Sequence, residues 1–178
     1  LYQNMGNTEK AEILYLETKA IREKVLGKEH PDYARSLNSL ANLYSDLGNW
    51  QKAEPLYLEA KDIRENVLGK DHPDYAASLN NLAALYVEMG NYKKAEPLYT
   101  ESKAIRGKVL GMDHPDYAES LNNLAVLYTD MGYHEKAEPL YLESKSIREK
   151  VLGKEHPVYA GSLNNLADFY ERLKRFSE

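Results

Sequence analysis

Apolar and polar positions along the chain follow two helical patterns, which alternate along the sequence. In the stretch that begins at His72, apolar residues recur three or four positions apart, which predicts a helix with one buried stripe. That stripe comprises Leu79, Leu82, Ala83, Leu85, Tyr86 and Met89. A second apolar pattern with helical steps covers about residues 8 to 26. We name the two predicted elements the A-type and the B-type helix.

Proline and glycine mark where these helices begin and end. Each A-type helix begins at a His-Pro pair, because proline is favoured at the first helical position, where its missing N–H costs nothing. Each B-type helix ends at a glycine such as Gly27 or Gly69, which takes the left-handed conformation without a Cβ penalty. Gly6 predicts a break between residues 1–5, the end of an A-type helix, and the first B-type helix.

Three B-type helices contain a proline about five residues from their predicted beginning, at Pro55, Pro97 and Pro139. A proline at such a position removes a helix hydrogen bond and clashes with the preceding turn. Either these helices begin at the preceding glutamate, or they are bent at the proline. The helical character of the residues before each proline favours a bend. Gly107 replaces a glutamate of the other copies and should weaken its helix by about 1 kcal/mol.

The two helices form one unit that repeats every 42 residues, as the spacing of His30, His72, His114 and His156 gives directly. A fixed period in this range predicts a stacked-repeat architecture. The chain 1–178 is therefore predicted to be one repeat array, divided into a partial repeat 1–27, repeats 28–69, 70–111 and 112–153, and a partial repeat 154–178.

Composition narrows the class of protein. The net charge of −5 argues against a nucleic-acid partner, which calls for a clustered basic surface. No run of about 18 apolar residues is present, so no membrane association is expected. The chain has no cysteine, which excludes disulfides and thiol chemistry. A cytoplasmic protein without cofactors is the expectation.

Candidate chemistry is sparse, because the chemically capable residues repeat with the period. The four His-Pro histidines are separated by two helix layers, about 16–20 Å, and cannot share a metal ion. A catalytic pair should occur once rather than in every unit, so we predict no enzyme. The tyrosines are expected to pack between helices. The repeated arginines are expected to pair with repeated acidic residues; they are Arg22, Arg64, Arg106 and Arg148.

Several repeated positions resemble the signature of the tetratricopeptide repeat, namely Leu79, Leu82, Ala83, Tyr86, Gly90, Tyr92, Ala95 and Tyr99. The long B-type helix followed by LGKDHPDYA resembles the 42-residue repeats of kinesin light chain and related bacterial proteins. The resemblance implies an all-α, right-handed α-solenoid of stacked antiparallel helix pairs. It also implies a protein-interaction scaffold whose A-type helices line a concave groove.

Repeated asparagines on the A-type helices are the candidate binding residues. An asparagine inside a helix lowers helix propensity, so its repetition asks for a reason. It either bonds to the neighbouring helix and sets the stacking, or pairs with the backbone of an extended peptide. With neighbouring groove positions, the predicted peptide site comprises Asn38, Asn42, Asn80, Asn81, Ala84, Asn122, Asn123, Val126, Asn164 and Asp168.

Three functional hypotheses follow. The first is a scaffold that binds a protein or peptide with a hydrophobic or aromatic anchor and some basic character. The second is an array that self-associates end to end through an apolar surface at Phe169, Leu173 and Phe176. The third is a sensor or regulatory array of a larger effector protein.

Overall fold

A computed structural model describes the backbone of residues 2–176 and the side chains of residues 7–174. Every regular element in this part of the chain is an α-helix, which confirms the predicted all-α class. The eight helices are α1 (Tyr2–Leu26), α2 (Pro31–Asp46), α3 (Trp50–Leu68), α4 (Pro73–Glu88), α5 (Tyr92–Val109), α6 (Pro115–Asp130), α7 (His134–Leu152) and α8 (Pro157–Phe176). The even-numbered helices are A-type and the odd-numbered ones B-type.

The predicted break at Gly6 is wrong, because α1 runs without interruption from Tyr2 to Leu26. At later copies of this position the glycine has a positive φ, for example +68° at Gly48, and separates two packed helices. An uninterrupted helix lets the backbone groups on either side of Gly6 pair within α1.

The internal prolines lie within the B-type helices rather than at their beginnings. Helix α3 begins at Trp50 and contains Pro55, so the alternative beginning at Glu54 is wrong. Helices α5 and α7 likewise begin ahead of Pro97 and Pro139. Helix α5 has 18 residues where α3 and α7 have 19, a difference that agrees with the glycine at position 107 near its end.

The chain divides into two compact units, residues 1–85 and 86–178. In the first unit the early turns of α2 pack against the late turns of α3, where Tyr33 and Leu37 share a core cluster with Ile63. Near the opposite ends of the same two helices, the Tyr57 hydroxyl donates to Asn42 Oδ1 over 2.6 Å. Helices α2 and α3 are therefore an antiparallel pair.

The second unit repeats this pairing in α6 and α7. Tyr117, Ala118 and Leu121 pack with Ile147 in one cluster. A second cluster joins Ala125 of α6 to the start of α7 and to α8; its buried members are Ala125, Ala137, Tyr141 and Phe169. The predicted apolar stripe of α4 is buried at Leu79, Leu82, Ala83, Leu85 and Tyr86, whereas Met89 is exposed. On α8 the corresponding stripe is exposed at Leu163.

The predicted apolar patch near the end of α8 needs correction. Phe169 is only 1% exposed and lies in the second core cluster of the 86–178 unit. It occupies the position that Leu127 has on α6, which is also buried, so the periodicity already places it in the core. Leu173 is partly buried against the same cluster. The side chain of Phe176 lies outside the described residues.

The repeated arginines bind serines and backbone carbonyls rather than mainly carboxylates. Arg64 Nη1 donates to Ser78 Oγ over 2.8 Å and to the Asp74 carbonyl over 3.1 Å. Arg106 adds an ion pair with Glu119 at 3.1 Å. Arg64, Arg106 and Arg148 are each less than 8% exposed. These side chains therefore join each B-type helix to the following A-type helix. In the part of the chain whose side chains are described, the predicted carboxylate pairing is seen at Arg106.

Candidate peptide-binding face

The predicted binding residues of the first unit lie on α2 and α4. Asn42 is exposed, but its Oδ1 accepts the bond from Tyr57. Asn38 Oδ1 is buried and has no hydrogen-bond partner. Asn80 is 6% exposed, whereas Asn81 and Ala84 are partly exposed. Asn42, Asn81 and Ala84 can therefore contact a ligand directly without rearrangement, whereas the buried Asn80 cannot.

The predicted residues of the second unit lie on α6 and α8. Asn122 is 8% exposed, and its Oδ1 accepts a 2.8 Å hydrogen bond from Asn165 Nδ2. This bond ties one A-type helix to the next, which is the stacking role considered for the repeated asparagines. Asn123 and Val126 are partly exposed, and Asn164 and Asp168 are exposed.

A cavity of about 130 Å³ lies among α6, α7 and α8 and brings together two residues of the predicted peptide site, Val126 and Asp168. Its lining combines apolar and polar side chains: Val126, Thr129, Tyr141, Asn165, Asp168, Phe169 and Arg172. Val126 and Phe169 give it apolar walls, and Asp168 places a carboxylate at the cavity. A ligand side chain that enters it meets both kinds of surface, as is usual for binding pockets.

Charges and hydroxyls around the cavity are ordered by specific contacts. Arg172 Nη1 donates to Asp130 Oδ1 over 2.7 Å, so this guanidinium is partly neutralised. Thr129 Oγ1 lies 3.3 Å from the Tyr141 hydroxyl oxygen. Burial raises the pKa of Tyr141, so its phenol is uncharged at neutral pH. The cavity is therefore lined by a neutral phenol that contacts Thr129 and by the carboxylate of Asp168.

Sequence reasoning missed Tyr141, Asn165 and Arg172 as members of this cavity. A signal for Arg172 was present, because the same position holds acidic Asp46, Glu88 and Asp130 in the three preceding copies. A charge reversal at a repeated position permits an ion pair between neighbouring copies, and Arg172 forms one with Asp130. Tyr141 gave no such signal, since tyrosine occupies this position in every copy.

The repeated histidines serve as helix N-caps. The His30 and His114 rings accept hydrogen bonds at Nδ1 from the backbone N–H of Asp32 and Asp116. The ring nitrogen thus takes the place of the usual capping oxygen at the beginning of α2 and α6. Among residues whose side chains are described, no cluster of histidines and carboxylates has the makings of a metal site. Within the described helices, none has the length and apolar character needed to cross a bilayer.

Family comparison covers the whole chain. The tetratricopeptide repeat model matches four overlapping segments, residues 1–66, 37–108, 88–144 and 116–178. Curated protein sequences include no match to the chain. Tetratricopeptide repeats generally act as scaffolds for protein–protein interaction.

Solved structures of similar fold carry kinesin light chain-like repeats. One is a Podosopora anserina protein described as a kinesin light chain with nearly identical TPR-like repeats. Its sequence is 32% identical to this chain and its structure superposes with a TM-score of 0.77. The match covers 98% of this chain and 82% of that chain. A variant of it gives a TM-score of 0.78. BtubC (BKLC) from P. vanneervenii is 26% identical with a TM-score of 0.82, and the match covers 98% of this chain and 70% of that chain. The chain thus belongs to the tetratricopeptide repeat family, with repeats of the kinesin light chain-like kind.

Proposed function

We propose that this protein is a non-enzymatic scaffold that binds an extended peptide along its A-type helices, with one side chain of the peptide in the cavity of the 86–178 unit. The cavity carries the proposal, because it joins Val126 and Asp168, two groove positions selected from the sequence, in one concave site. A cytoplasmic location belongs to the same proposal.

The cavity favours an anchor residue with an aliphatic stem and a polar or basic end. Val126, which is partly exposed, gives apolar contact to the stem. Asp168 is exposed and accepts hydrogen bonds or attracts a positive charge, while the nearby Arg172 is already paired with Asp130. Lysine, arginine and methionine side chains fit this description, and an acidic anchor would meet the carboxylate unfavourably.

The asparagines then divide into two roles. Asn80 and Asn122 are less than a tenth exposed, and Asn122 is bonded to Asn165, so we assign them to helix stacking. Asn42, Asn81, Asn123 and Asn164 keep exposed or partly exposed amides, which we assign to the peptide backbone. Asn38 fits neither role, because its buried carbonyl oxygen has no hydrogen-bond partner.

A peptide array tests this proposal, followed by affinity measurements on the peptides that bind. We expect bound sequences to share a basic or long aliphatic anchor. Replacing Asp168 by asparagine should weaken peptides with a basic anchor by about tenfold, the loss typical of one partner of a close charge pair. The affinity of peptides with a methionine anchor should change much less.

Glu171→Gln is the matched control, because it removes the same charge from the same exposed face of α8 but lies outside the cavity. Equal weakening by Asp168→Asn and Glu171→Gln would show a general charge effect and contradict the anchor site. An array without binding sequences would contradict the scaffold proposal itself.

End-to-end self-association is the second candidate function. Exposed apolar residues on α1 and α8 favour it, since their counterparts one or more periods away are buried. Phe169 takes no part in it, because this residue is in the core.

A further inference from the structure

Helix α8 exposes an apolar face that the equivalent helix α6 buries. Leu163 of α8 is 41% exposed, whereas Leu121, one period earlier on α6, is fully buried. Ala160 is likewise exposed, and its counterpart Ala118 is fully buried. The repeated sequence therefore gives α8 a surface suited to burial that remains open in the described structure.

Helix α1 exposes the complementary kind of face. Ile21 is 54% exposed, but Ile147, three periods later on α7, is 7% exposed. Tyr15 is 39% exposed, but its counterpart Tyr141 is 4% exposed. Helix α1 thus carries the same residue types that α7 buries, but on α1 their side chains are exposed.

The α6–α7 pair shows how these two faces fit. Ile147 packs into a cluster with Tyr117, Ala118 and Leu121 of α6. The corresponding surface on α8 has the same residue types at Tyr159, Ala160 and Leu163, and α1 supplies the isoleucine at Ile21.

From this match we infer that α1 of one copy docks on α8 of a second copy, in the arrangement that α7 has on α6. The inference deepens the second candidate function by naming the two surfaces that meet. It does not depend on the peptide site, because none of the docking residues lines the cavity of the 86–178 unit.

The contact joins two different surfaces, so each docked copy still presents one free face of each kind. Such a heterologous contact gives open, growing assemblies unless a ring closes. An isologous dimer would instead bring α8 against α8, or α1 against α1. Variants of each face separate these arrangements.

Sedimentation velocity over about 1 µM to 1 mM tests the inference on the whole 178-residue chain. We expect wild-type oligomers that grow with concentration. Ile21→Lys and Ala160→Glu should each weaken association by about tenfold or more, because each would bury an unpaired charge at the centre of the contact. Both positions are exposed in the single chain, so circular dichroism should show unchanged helicity.

Leu16→Lys is the control on α1, since Leu16 and its counterpart Leu142 are both 44% exposed. The position stays exposed in the α6–α7 arrangement, and association should remain at the wild-type level. Loss of association in this variant equal to that of Ile21→Lys would overturn the proposed register.

Mixing the two disrupted variants gives the sharpest readout. The Ile21→Lys chain retains an intact α8, and the Ala160→Glu chain retains an intact α1, so their mixture should form one-to-one dimers that grow no further. A wild-type chain that stays monomeric over the whole range, or a mixture that stays monomeric, would overturn the inference. Dimers of either variant alone would point to an isologous contact and overturn it as well.

Discussion

Helices α6 and α8 have closely similar sequences and different surroundings. Leu121 of α6 is fully buried against α7, while Leu163 of α8 is 41% exposed. Arg106 reaches three acceptors on α6, and Arg148 is observed with one on α8, Ser162. A repeat sequence therefore determines which face each residue occupies, and the neighbouring helix determines how much that residue contributes to stability.

The largest difference in unfolding free energy should appear when Leu121 and Leu163 are each replaced by alanine. Leu121→Ala removes a fully buried side chain and should lower the free energy of unfolding by about 2–5 kcal/mol. Leu163→Ala should lower it by less than about 1 kcal/mol, because its side chain already contacts water. Urea denaturation in dilute solution measures both, and equal losses would contradict the difference in burial between α6 and α8.

The arginines should follow with a smaller difference. Arg106→Ala removes contacts to the Asp116 carbonyl, Glu119 and Ser120, and should cost about 2–3 kcal/mol of unfolding free energy. Arg148→Ala removes the bond to Ser162 and should cost about 1 kcal/mol less. The same denaturation series measures both variants. A greater loss for Arg148→Ala would show that the number of acceptors does not control the contribution of the arginine.

The repeated asparagines allow a further comparison of stability, because Asn122 accepts a hydrogen bond from Asn165 and the equivalent oxygen of Asn38 has no partner. Asn122→Ala loses the hydrogen bond from Asn165 and should cost about 1 kcal/mol. Asn38→Ala removes a buried carbonyl oxygen that has no partner, and alanine is the better helix former, so its effect should be close to zero or slightly stabilising. Thermal unfolding of the two variants provides the measurement. A clear loss of stability in Asn38→Ala would contradict the unpaired state of this side chain.

The tyrosines should give the smallest effect, which depends on pH. Burial, and then the bond to Glu96, raises the pKa of Tyr128 on α6; on α8 the bond to Glu138 is the main cause that raises the pKa of Tyr170. The fold thus favours the neutral phenols, and their contribution is complete below the unfolded pKa of about 10 and is lost as pH rises through the folded pKa.

Replacing Glu138 by glutamine should remove most of the shift at Tyr170, whereas Glu96→Gln should leave the burial part at Tyr128. Tyrosine titration followed by NMR measures both pKa values. A Tyr170 pKa that stays raised in Glu138→Gln would show that the carboxylate is not its main cause.

Most of the fold could be predicted from the sequence, because periodicity identifies each helix and its buried face. The His-Pro beginnings and glycine ends match the observed helices closely. Gly6 is the exception, because it lies inside α1 and separates no helices. The burial of Phe169 was also readable from its position one period after Leu127.

Less of the candidate site could be predicted, because it depends on contacts between copies. The sequence selects Val126 and Asp168 as groove positions, and both line the cavity. The sequence does not reveal that the side-chain amide of Asn165 donates a hydrogen bond to Asn122 Oδ1. Nor does it reveal that the repeated arginines donate to serine hydroxyls, as Arg64 does to Ser78. A side chain's partner depends on distances across helices, which a one-dimensional pattern does not contain.

The most direct test of the peptide-scaffold proposal is an NMR titration of the 15N-labelled chain with a peptide that binds on the array. The account predicts that the largest shift changes fall on exposed and partly exposed A-type positions, with those around Val126 and Asp168 foremost. Changes confined to the outer faces of the B-type helices, at residues such as Leu58 and Leu142, would contradict it.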